Sequence, residues 1–195
     1  ETDFEEQDIS SYLLDEYGGR LTFGYPTDNI TRLNFGLGYT LSKVKAGAFT
    51  SEEVKTFIDE EGNDFNNYFL FGSWRRSTLN RGVLPTDGYS LSLSADVAVP
   101  GSDLTFYKLN QKTEFYQPLN ENQTWVFRAR SEIGYGDGYN GRSVMPFYEH
   151  FYAGGYGSVR GYEANSLGPL ATNAPNDFSD PDPFGGSLLT EGSLG

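Results

Sequence analysis

Cysteine is absent from the 195 residues, and histidine and methionine occur once each. The missing thiols exclude disulfides, zinc–thiolate centres and thiol nucleophiles, and leave the compartment undecided. The single histidine, His150, has no second ligand-spaced partner, so neither a zinc site nor a Ser-His triad finds support. Basic residues are few: 14 Lys and Arg against 27 Asp and Glu give a net charge of -13, which opposes binding to a nucleic-acid backbone. No apolar run approaches the roughly 18 to 20 residues of a spanning helix, and the mean hydropathy is -0.52. That excludes helical spans only, because a transmembrane strand turns every second residue to lipid and hides its hydrophobicity in alternation. The chain opens on an acidic stretch, Glu1 to Asp8, with no leader-like segment, and so reads as the interior of a longer protein.

What is abundant points to strands. Aromatic residues reach 16% and glycine numbers 24, a mixture that suits tightly turned Tyr- and Phe-rich strands. From Thr31 to Val44, Leu33, Phe35, Leu37, Tyr39 and Leu41 alternate with Asn34, Gly36, Gly38, Thr40 and Ser42, a period of two. Leu21, Phe23 and Tyr25 do the same upstream, and Pro26 to Asn29 turns one run into the other. Further runs are predicted at Asn67 to Ser77, Tyr89 to Val99, Thr105 to Pro118 and Thr124 to Gly136, with the start of a seventh at Ser187 to Leu194. Each is about long enough to cross a bilayer at a strong tilt, which takes roughly 9 to 11 residues.

The connections alternate in kind. Those at Pro26 to Ile30, Asn80 to Gly88 and Leu119 to Gln123 are short; Lys45 to Asn66 and residues 137–186 are long, although Pro100 to Asp103 on that second edge is short. Short turns on one edge and longer loops on the other match the periplasmic turns and extracellular loops of an outer-membrane barrel. Arg128, Arg130 and Glu132, beside Lys108, Asn110, Lys112 and Glu114, fit a water-filled lumen and equally the wet face of a soluble sheet. The tyrosines near strand ends, Tyr25, Tyr39, Tyr68, Tyr89, Tyr116 and Tyr135 among them, favour the interfacial girdles of a membrane barrel. The expected fold is therefore all-β: an incomplete antiparallel transmembrane β-barrel segment of six to seven strands, too few to close.

Three smaller features carry little chemistry. Ser51 is placed to cap a short helix over Thr50 to Glu61 with an apolar stripe of Val54, Phe57 and Ile58. Gly136 to Gly141 matches G-x-G-x-x-G, but a short polar stretch and Pro146 follow where a cofactor-binding helix would start, so it is a loop. Asp177, Asp180 and Asp182 lack the spacing and closing Glu of a calcium loop. No catalytic residue, cofactor or metal is expected.

The segment Met145 to Pro169 is different, because a long loop rich in Phe147, Tyr148, Phe151, Tyr152 and Tyr162 surrounds a lone Arg160. Either it is an aromatic surface loop, or it packs inside something, where a desolvated Arg160 needs a carboxylate. Here Val159-Arg160-Gly161-Tyr162 resembles the VRGF/Y motif in the sixth extracellular loop of the Omp85 superfamily. The flanking PFYEHFYAGG and NSLGP, the Arg81-Gly82 and Leu84-Pro85-Thr86-Asp87-Gly88 turn, Val99 to Ser102 and Tyr135 to Gly138 extend the resemblance along nearly the whole chain, closer to the assembly factors than to the secretion transporters.

The resemblance implies that residues 1–195 are part of a C-terminal barrel domain, strands six to eleven and the start of strand twelve. The long extracellular loop 137–186 would lie within it, and the POTRA domains and the first and last strands outside it. It implies a non-enzymatic factor of the Gram-negative cell outer membrane that inserts and folds β-barrel proteins. Its partners would be the lipid bilayer and lipopolysaccharide, nascent outer-membrane proteins and accessory lipoproteins, with no nucleic acid. A two-partner secretion pore and a passive porin are the alternatives. Arg160 would lock the loop in the lumen, with Val159 and Tyr162 packing beside it and Gly161 allowing close backbone approach. Where the family pattern sets its acidic partner this chain has Gly195, a departure; Glu191, on the same face, is the candidate partner.

Overall fold

A computed structural model describes residues 12–195 apart from 48–49, 142–144 and 176. The acidic Glu1 to Asp8 stretch lies outside the described residues. Seven strands run in chain order: β1 (Tyr12–Pro26), β2 (Thr31–Ala46), β3 (Asp64–Ser77), β4 (Gly88–Ala98), β5 (Phe106–Pro118), β6 (Val126–Gly138) and β7 (Leu188–Leu194). Each pairs antiparallel with the next, giving one sheet of order β1-β2-β3-β4-β5-β6-β7 that does not close on itself. The all-β, unclosed barrel segment expected from the alternation is the fold.

The register explains the two faces. Leu21 pairs with Leu37, Leu37 with Leu70, and Leu70 with Val97, so one face carries a continuous aliphatic band. Leu21 is 68% exposed and Leu37 56%, which no water-facing sheet of this width would tolerate; a lipid-facing one requires it. The other face, here called inner, carries the Gly, Asn, Ser, Lys, Arg and Glu residues between them. Aromatics recur in both rims of the outer face, including stacked Phe23 and Phe35 and tilted Tyr39 and Tyr68.

β1 begins eight residues earlier than its alternation suggests, at Tyr12 instead of Arg20. Near the long-loop edge the inner face turns apolar, because Tyr12 and Leu14 of β1 pack on a buried cluster of Val44, Phe65, Leu104, Phe106 and Phe147. Inward Leu14 beside outward Leu13, and inward Glu16 beside outward Asp15, erase a period of two.

The short helix α1 (Glu52–Glu61) sits in the β2–β3 connection and buries Val54 and Phe57 in that cluster. Ser51 occupies the N-cap position, as expected, but its side chain forms no cap hydrogen bond. The long loop satisfies the helix start instead: the Glu52 amide donates to the Thr172 carbonyl (3.2 Å), and the Glu53 carboxylate accepts from the Thr172 amide (2.9 Å) and hydroxyl (2.6 Å). Those hydrogen bonds hold the Glu53 pKa below its ordinary value against the opposing effect of burial.

Candidate functional site

The β6–β7 connection is laid against the inner face. At its start, a one-turn helix (Phe147–Glu149) buries Phe147 edge-on to Tyr12 (4.7 Å between ring centroids) and to Phe57 (5.3 Å), and stacked on Phe184 (6.0 Å). Lys108 of β5 pairs with Glu149 (3.0 Å) and lies 4.9 Å from the Phe151 ring centroid. Phe151 in turn lies on Gly134 of β6, where a Cβ would meet the ring at 2.5 Å. Glycine at that inner position lets an aromatic ring rest directly on the strand backbone.

Farther along, the loop is held by charge. In the β6–β7 register Glu132 and Glu191 stand directly opposite each other, an arrangement that repels unless cations intervene. Arg130 places Nη2 3.9 Å from a carboxylate oxygen of each. Lys112 meets Glu132 at 2.8 Å, and Asn110 donates to it at 3.3 Å. Arg130 also donates through Nη1 to the Gly157 carbonyl (2.7 Å), and the Ser158 hydroxyl donates to Glu191. Ser158 accepts the Gly154 amide (3.1 Å), closing a small turn at the loop's point of attachment. The side chains of Glu132 and Glu191 are only about one-tenth exposed, 11% and 10%, so these charge-assisted contacts are worth more than surface pairs.

Of the motif residues, Val159 is half-buried in a cleft of about 420 Å³ between the loop and β7, while Arg160, Gly161 and Tyr162 are exposed. The Arg160 guanidinium lies 4.9 Å from the Tyr156 ring centroid, and no ion pair among the described residues includes it. Gly161 has a positive φ of 93°, in the region that favours glycine. Glu191 therefore meets Ser158 and Arg130, and not Arg160. The sequence reading did not single out Ser158. Its signal was available: the residue flanks the motif, and Arg130, Glu132 and Glu191 share inward parity.

These features define a class: the wall of a transmembrane β-barrel with its longest loop anchored on the lumen side. An Omp85 superfamily domain matches residues 2–195. The chain is 32% identical over 169 residues, 83% of its length, to the outer membrane protein assembly factor BamA of Neisseria meningitidis serogroup B, of which it covers 21%. It superposes with a TM-score of 0.86 and 30% identity on the crystal structure of BamA from Haemophilus ducreyi lacking POTRA domains 1-3, over 94% of this chain and 37% of that one. The chain belongs to the Omp85 superfamily, and it spans about a fifth of the length of that curated relative. Family and fold together indicate a Gram-negative outer-membrane protein.

Proposed function

We propose that this chain is part of the C-terminal barrel domain of an outer-membrane protein assembly factor, which inserts and folds β-barrel proteins in the bacterial outer membrane without covalent chemistry. The observation that carries the reading is the likeness to BamA along 83% of the chain, and the loop held on the inner wall supports it. Clients would be nascent outer-membrane proteins. Accessory lipoproteins would act beside it, and the bilayer and lipopolysaccharide would surround it. A barrel that presents strand edges in the membrane lowers the barrier for a client, since unpaired edge amides and carbonyls template pairing. In this reading Ser158 and Arg130 seat the loop on the wall, and the Val159-Arg160-Gly161-Tyr162 turn projects from that anchor with Arg160 available to a carboxylate.

The test is Arg160→Ala in the full-length parent reconstituted in liposomes. Client folding is expected to slow at least several-fold, roughly the cost of one charge-assisted contact, while the parent barrel stays folded. Unchanged client kinetics with an intact barrel would remove Arg160 from assembly. A second reading, an Omp85-type secretion pore or a passive porin, draws on the inner-face cavity of about 470 Å³ lined by Arg20, Asp96, Lys108 and Glu149. Steady single-channel conductance of the parent would favour it.

A further inference from the structure

The outer face carries a groove of about 570 Å³ that the proposed function does not use. Its floor is the Gly72–Ala95 pair of β3 and β4, where two adjacent strands lack bulk, and its walls include Leu33, Trp74, Leu93 and Leu109. Register builds it: Leu33 pairs with Trp74, Trp74 with Leu93, and Ala95 with Leu109. No atom lies within 4 Å of where a Gly72 Cβ would stand, so the depression is open and not filled by a neighbour.

Beyond one end of this groove, past the Trp74 that walls it, the same strand carries a cation. Arg76 is two residues beyond Trp74 on the same face of β3, about 7 Å along the strand, one residue before the strand ends at Ser77. Its Nε is buried without a hydrogen-bond partner, and no ion pair among the described residues includes it. Asp28 is near enough to feel its charge, yet keeps its carboxylate on the Ile30 amide (2.8 Å). Strand end, short-turn edge and outward parity together put Arg76 at the level of the inner-leaflet headgroups.

We propose that this groove and Arg76 form a binding site for an anionic phospholipid of the periplasmic leaflet, one acyl chain lying over Gly72 and Ala95 and the phosphate at the Arg76 guanidinium. The site rests on the reading of the chain as an outer-membrane barrel wall, which assigns the aliphatic face to lipid and the short turns to the periplasm. A guanidinium selects phosphate through planar, charge-assisted hydrogen bonds, and an added headgroup of net negative charge gains over a zwitterionic one.

The test uses the full-length protein in phosphatidylcholine vesicles doped with phosphatidylglycerol or phosphatidylcholine brominated on the acyl chains. The Trp74 signal is taken as the difference between the parent and its Trp74→Phe variant. At equal low mole fraction, brominated phosphatidylglycerol is expected to quench Trp74 about threefold more than brominated phosphatidylcholine, a preference of the size one rim charge supports. Arg76→Gln should abolish that preference, and Gly72→Leu, which fills the groove, should lower quenching by both lipids. Equal quenching by the two lipids in the parent, or a preference that survives Arg76→Gln, would overturn the site while leaving the barrel reading intact. Absence of Trp74 quenching by either lipid would overturn both. Trp125, in the β5–β6 turn, serves as the reference signal by the same subtraction, and there no lipid preference is expected.

Discussion

The two halves of the inner face differ as much as the interiors of two different proteins. Toward the long-loop edge the strands turn Val44, Phe65 and Phe106 inward, and α1 and the loop cover them with Val54, Phe57 and Phe147 into a dry cluster. Toward the short-turn edge the same strands turn Asn34, Ser73, Lys112, Glu114 and Arg128 inward, joined by polar contacts such as Asn34 to Ser73 (3.2 Å) and Arg128 to Glu114 (3.9 Å). The outer face changes in the opposite sense: aliphatic over its middle, it carries Asp15, Lys43, Lys45 and Asp64 toward the long-loop edge, paired as Lys45 with Asp15 (2.8 Å) and Lys43 with Asp64 (3.6 Å). The lesson is that the outer face is aliphatic only over the band that meets lipid and turns to ion pairs beyond it, while the inner face is divided by what covers it. Apolar burial supplies the energy that keeps the loop in place, and the Glu132–Arg130–Glu191 cluster, at the boundary between the halves, sets where it sits.

The largest effect expected comes from breaking the dry half. Phe147 is 3% exposed and touches rings from β1, α1 and the loop's own return segment. Phe147→Ala should cost about 3–5 kcal/mol of loop docking, the range for a deeply buried aromatic. Hydrogen exchange should then show lost protection around residues 145–171 with the β2–β5 amides still protected. Equal protection in the variant would mean that the aromatic cluster does not hold the loop.

A smaller, more local change sharpens the boundary between the halves. Glu191→Gln keeps the shape but removes one of the two opposed carboxylates that hold Arg130 and Ser158. A cost of about 1–3 kcal/mol is expected for a largely buried charged hydrogen bond, confined to residues 154–160, and Ser158→Ala on top of it should add little because the two act through one contact. Additive losses, or exchange that spreads to Phe147, would show that the polar anchor and the aromatic cluster are one unit.

The same division explains what was legible in the sequence. Where one face meets lipid and the other meets water, as in Leu33 to Leu41, alternation displayed strand, face and register together, and six of the seven strands were found within a few residues of their ends. It failed at Tyr12 to Gly19, where inward Leu14, packed under the loop, answers outward Leu13 and inward Glu16 answers outward Asp15, so neither face keeps one character. The helix was legible from its stripe, but not its capping, because Thr172 comes from 119 residues away. The motif around Arg160 could be recognised as a string, whereas the contact through Ser158 depends on the loop's path and on the opposed register of Glu132 and Glu191, which no local pattern carries.

The smallest effect expected is a pH dependence at the seam between dry loop and polar wall. His150 is half-buried against Phe184, edge-on at 5.2 Å between ring centroids, with Nδ1 3.0 Å from the Phe184 carbonyl oxygen, which requires the proton on Nδ1. Burial lowers its pKa below the ordinary value of 6.5, and the neighbouring Lys108 charge adds to that. The docked loop thus prefers neutral His150 and the undocked loop takes up a proton more readily, so docking is fully stable above the ordinary histidine pKa. As pH falls through that value stability declines, and the loss levels off below the depressed pKa of the docked state. Limited proteolysis of the loop should accelerate between about pH 7.5 and about pH 5, and His150→Gln should remove most of that acceleration. Acceleration of equal size in the His150→Gln protein would remove His150 as the acid-sensitive point of the docked loop and would leave the seam without a pH dependence of its own.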